Sequence, residues 1–108
     1  MTTAALFEAI RAVSPQIGTT LALAIANQSL GYGRAYGVAP EVVAALIIKR
    51  NGKEQVDGIS FLAMAFAGWV AGKAPQIRTY LRQSAGLAAE LKNRAAAAGA
   101  DVRRYGAE

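Results

Sequence analysis

Between Asp57 and Lys73 runs Gly58-Ile-Ser-Phe-Leu-Ala-Met-Ala-Phe-Ala-Gly-Trp-Val-Ala-Gly72, fifteen residues without a charge. A stretch this apolar has to leave water, and its destinations are a bilayer or other helices. As a helix it rises about 22 Å, short of the ~30 Å hydrocarbon core of a membrane. Lengthening it meets Asp57 on one side, and Lys73 and then Pro75 on the other. A single comfortable span is therefore not expected. Ala63, Ala67, Gly68, Ala71 and Gly72 let another backbone come close, and Gly68 with Gly72 has the small-xxx-small spacing of tightly packed helix pairs. The preferred reading is burial against residues 17–26 or against sister copies. Phe61, Phe66 and Trp69 supply the bulk that alanine lacks. Phe61, Phe66, Gly68, Trp69 and Gly72 are accordingly the candidate oligomer-interface residues.

The rest of the composition points the same way. Alanine occurs 25 times in 108 residues, and it is the best helix former but a poor filler of cores, which argues for closely packed helices rather than a sheet. The length bounds a single domain, residues 1–108. Cysteine and histidine are absent, which excludes disulfides, thiol nucleophiles, Cys/His metal sites and any catalytic group built on imidazole. No cofactor is expected. Glu54 and Asp57 sit where acidic side chains stabilise the start of a helix, and no base or metal ligand accompanies them. No catalytic residues are assigned, and an enzyme is the least favoured class.

All three prolines stand in similar phrases, Ser14-Pro15-Gln16-Ile17, Ala39-Pro40-Glu41-Val42 and Ala74-Pro75-Gln76-Ile77. Proline fits the first helical position, where its missing N–H would have no intrahelical partner, so each phrase reads as a helix start. An all-α domain of about five helices follows, over approximately 3–13, 15–30, 40–50, 53–72 and 75–99. In the first, Leu6, Ile10 and Val13 recur at helical spacing opposite Glu8 and Arg11. Residues 17–26 are apolar nearly all round, the pattern of a central helix, and the uncharged stretch forms a second one. Gly31-Tyr-Gly-Arg-Ala-Tyr-Gly37 has three glycines in seven residues, so residues 31–39 are expected to be the main loop. Its two tyrosines and arginine have the chemistry to stack on bases or to grip a neighbouring subunit, although a plain loop accounts for them too.

Residues 40–50 are ambiguous. Val42, Val43, Ile47 and Ile48 favour a strand, and Asn51-Gly52 is a hairpin signal when strands flank it. Lys49 and Arg50 also suit the last turn of a helix, with Asn51 or Gly52 as its cap. Helix is preferred, because the return strand of a hairpin would have little to bury. In the last helix Ile77, Leu81, Ser84, Ala88, Leu91, Ala95 and Ala98 follow alternating steps of four and three, a coiled-coil-like seam. Residues 100–108 read as a basic tail.

The net charge of +5 is concentrated late in the chain. From Lys73 onward Arg78, Arg82, Lys92, Arg94, Arg103 and Arg104 outweigh Glu90, Asp101 and Glu108. Arg78, Arg82, Lys92, Arg103 and Arg104 are the candidate contacts to an anionic partner, whether nucleic acid or lipid headgroups. The first residues lack the basic and apolar runs of a signal peptide, and no targeting segment is expected. The favoured role is a non-enzymatic structural subunit of a homo-oligomeric assembly, as in a virion or a secretion apparatus. Two alternatives stay open: a small membrane-active or membrane-embedded helical hairpin, and a nucleic-acid-packaging protein using the basic C-terminal helix.

Overall fold

A computed structural model describes residues 1–51, 68–73, 76 and 78–106, and every regular element among them is helical. The chain is all-α. Its helices are α1 (Thr3–Val13), α2 (Thr19–Tyr36), α3 (Pro40–Asn51), α4, described over residues 68–73, and α5 (Arg78–Gly106). Most of the expected 53–72 helix, with Phe61 and Phe66, lies outside the described residues, as does Pro75.

The start of α1 is set by Thr2, whose hydroxyl accepts the N–H of Ala5 at 3.1 Å. Its apolar positions fall on one face: Leu6 and Ile10 are fully buried, with Ala5 and Ala9 beside them. The helix stops at Ser14 because a residue before proline is pushed out of the helical region. The chain then turns, with Ile17 N–H donating to Ser14 O at 3.0 Å and the Arg11 guanidinium donating to Ile17 O at 2.7 Å. These two bonds occupy the groups that a helix starting at Pro15 would have used. The second helix therefore begins at Thr19, not at the proline, and extended Gly18 precedes it.

The larger correction concerns residues 31–39. The glycine-rich segment continues α2 as helix to Tyr36, and only residues 37–39 connect it to α3. Glycine inside a helix costs about 1 kcal/mol relative to alanine, which is less than the roughly 1.5–3 kcal/mol gained by burying one large apolar side chain. Continuing the helix keeps Leu30 buried and places Gly33 against the next segment. A methyl group at Gly33 would lie 2.6 Å from Val38 O, so the absence of a side chain is what lets the connection fold back. Gly37 ends the helix in the left-handed region, φ 69°, and Val38 N–H bonds back to Gly33 O at 3.0 Å in a Schellman-type ending.

The helix α2 is also one-sided. Leu21, Ala22, Ile25, Ala26, Ser29, Leu30 and Gly33 are buried, whereas Thr19, Thr20, Leu23 and Asn27 face out. The central place expected for residues 17–26 belongs instead to α3. There, Val43 through Ile48 are six consecutive buried residues, which no amphipathic surface helix can have. Pro40 stands at its start as expected, and its helical form settles the hairpin alternative. Shelter on every side makes it so: α2 and α5 both pack on α3, while Val70 of α4 closes over Leu46 with Val42 and Leu81 at the edge.

At 29 residues α5 is about 43 Å long and spans the molecule's 44 Å long axis. It lies across α1 and α3. The expected seam is its inward face: Ser84, Ala88, Leu91 and Ala95 are buried, with Leu81 and Ala98 partly so; Ile77 is outside the described residues. Residues 100–106 continue the helix, so most of the expected basic tail is α5 itself. The local reason is that no proline interrupts the run after Pro75, and Gly99 and Gly106 alone are too weak to stop a helix already anchored by its seam. No helix among the described residues is long and apolar enough to cross a membrane.

Candidate functional site

Two surfaces carry the residues singled out by the sequence. The first is a corner where α4 meets the last turns of α2. Tyr32 and Tyr36 stand one helical turn apart, their ring centroids 6.4 Å from each other and tilted by 32°. Gly68 and Gly72 stand one turn apart on α4. A methyl group at Gly68 would meet Tyr32 at 3.2 Å from Oη and 3.3 Å from Cζ, while one at Gly72 would touch Tyr36 Cε1 at 3.9 Å. Each ring thus lies over a position without a side chain, a ridge of two tyrosines laid into a groove of two glycines. The small-residue pair has intrachain neighbours: the Tyr32 ring beside Gly68 and the edge of Tyr36 beside Gly72.

What the corner leaves in water is aromatic. Tyr36 is 55% exposed and Trp69, next to Gly68, is 46% exposed. Leu23 and Met1 are the other large exposed apolar side chains among the described residues. Of the expected interface residues, Gly68, Trp69 and Gly72 come together here, and Phe61 and Phe66 are outside the described residues. Tyr32 and Tyr36 were legible only as loop residues. The signal that pairs them with α4 is the matching spacing, tyrosines four apart and glycines four apart, at two distant points of the chain.

The second surface is the outer side of α5. Arg78, Arg82 and Lys92 are all exposed there, and Arg103 and Arg104 belong to the last turns of the same helix. The ion pair found among the described residues is Arg94 Nε to Glu90 Oε1 at 3.1 Å, an exposed pair of a kind that contributes a few tenths of a kcal/mol.

Among the described residues there is no group of three or more acidic side chains able to hold a metal ion. A groove of about 490 Å³ lies between residues 37–42 and α5, lined by Val38, Val42, Leu81 and Ala88. Its one side-chain hydroxyl, on Ser84, donates to Leu81 O at 3.4 Å, so convergent polar groups that would orient a small ligand are missing from it. No protein-family model matches the chain, and no curated protein or solved structure matches it significantly.

Proposed function

We propose that the chain is a non-enzymatic assembly subunit that associates with copies of itself through the aromatic corner of α2 and α4. The observation that carries this reading is the pair of exposed aromatics, Tyr36 and Trp69, at a corner where the tyrosines of α2 lie beside the glycines of α4. Rigid, half-buried tryptophan and tyrosine side chains are the residue types that dominate protein interfaces, because they bury a large area while giving up little conformational freedom. Removing the rest of one such ring from water contributes on the order of 1–2 kcal/mol. A two-fold contact counts each ring twice.

Support for self-association over membrane insertion comes from α2. Most of its apolar stripe is spent on the core, and its outward side carries Thr19, Thr20 and Asn27 beside Leu23. The test is mass by light scattering or sedimentation, over a range of protein concentrations, with and without detergent. The expected result is a multiple of 11.2 kDa in plain buffer that falls towards the single-chain mass on dilution. Trp69→Ala is expected to weaken association at least about 30-fold with the helical circular dichroism unchanged. A single-chain mass at every concentration overturns the reading. A chain that stays in solution only with detergent and partitions into liposomes replaces it with the membrane-embedded hairpin.

A further inference from the structure

The geometry points to a second surface function: the outer face of α5 is a rail for the phosphate backbone of a nucleic-acid duplex, bound without regard to base sequence. Because residues 100–106 continue the helix, helical register relates the late arginines to the early ones. At about 100° per residue, positions 78, 82, 92 and 103 fall within an arc of about 80°, and position 104 borders it. The four are spread along about 37 Å of one line. The acidic positions 90 and 101 fall about 120–140° away, beside Arg94, which Glu90 already pairs. Charge on this helix is therefore segregated. The inward face is the apolar seam, one outward flank is mixed, and the other is purely basic.

Between the cations the same arc carries Ala85, Ala89 and Ala96, all exposed. Methyl groups hold no approaching polyanion away, so phosphates can come close to the helix along its whole length. No acidic residue occupies the first turn of α5, where Arg78 stands. A cation there adds to the positive end of the helix dipole instead of offsetting it, which costs the fold some stability and strengthens the field felt by an anion.

The chemistry of the arc selects among anionic partners. A helix that lies on a lipid surface inserts bulky apolar side chains beside its cations. The leucines of α5, Leu81, Leu87 and Leu91, are turned into the protein, and the arc offers only Lys, Arg and Ala. A flexible single strand is held largely by aromatic stacking, and the arc has no ring. A straight line of cations about one duplex turn in length, with nothing to read bases, fits a stiff double helix contacted through its phosphates.

The experiment is fluorescence anisotropy of a labelled random-sequence DNA duplex of about 30 base pairs, titrated with the full chain at several salt concentrations. About four phosphate contacts predict a log–log salt slope near −4. The double variant Arg82→Gln/Lys92→Gln changes two exposed residues and is expected to lower the slope by about 2 and weaken binding at least about tenfold at low salt. The control Arg34→Gln/Arg94→Gln removes the same total charge from exposed positions off the rail, and is expected to stay within about twofold of the unaltered chain. Absence of binding, a slope near zero, or equal losses in the two double variants overturns the proposal. So does tighter binding to phosphatidylglycerol vesicles than to the duplex with the same dependence on Arg82 and Lys92, which assigns the face to lipid.

Discussion

Helices α3 and α5 sit against each other and are helical for opposite reasons. The first is short, rich in valine and isoleucine, and has Val43 to Ile48 buried without interruption. Taken alone it would favour an extended strand. The second is 29 residues of mostly alanine and long polar side chains, a good helix by intrinsic preference, and it buries a narrow seam. So α3 is held by its surroundings, while α5 brings its own order and lends a face to the others. Division of labour follows: α3 spends Val43 to Ile48 on the core, whereas α5 buries one narrow seam and leaves its charged side in water.

Substitutions can break this contrast. The largest effect is expected from Ile47→Ala at the centre of α3, a loss of about 2–5 kcal/mol of unfolding free energy, read from the midpoint of a urea titration. Should it cost no more than a surface change, α3 is not the core. Gly33→Ala, which drives a methyl into Val38 O where α2 hands over to α3, is expected to cost about 1–3 kcal/mol in the same titration. Two residues earlier the sign reverses. Gly31 is helical and an added methyl meets nothing within 4 Å, so Gly31→Ala is expected to stabilise by about 0.5–1 kcal/mol. That pair separates a glycine required by packing from one that is merely tolerated. In α5, Ala96→Gly on the exposed arc should cost about 1 kcal/mol through helix preference alone, with no change in the other helices. The smallest effect concerns Ser29, fully buried on α2 with its hydroxyl unpartnered. Ser29→Ala removes an unsatisfied polar group and is expected to raise the thermal midpoint slightly, by at most about 1 kcal/mol in stability.

The candidate surfaces were legible to different degrees. Gly68 and Gly72 stand out in the sequence because small residues four apart are a packing pattern, and Trp69 for its bulk, but their neighbour, the Tyr32–Tyr36 ridge, was hidden behind glycines that read as a loop. The basic residues are plain in the sequence, whereas their alignment is not. Taken as a helix to residue 99 and then a tail, Arg103 has no angular relation to Arg78. One continuous helix gives it that relation.

Local chemistry alone determined a great deal: helices and not strands from the alanine content, the start of α3 at Pro40, the inward seam of α5, and the loss of all imidazole and thiol chemistry. Tertiary packing decided where α2 ends, which helix is central, and what the glycines of α4 face. The physical reason is a near balance of magnitudes. A glycine or a β-branched residue disfavours a helix by about 1 kcal/mol or less, and one buried side chain offsets that, so a helix runs as far as its face finds something to cover.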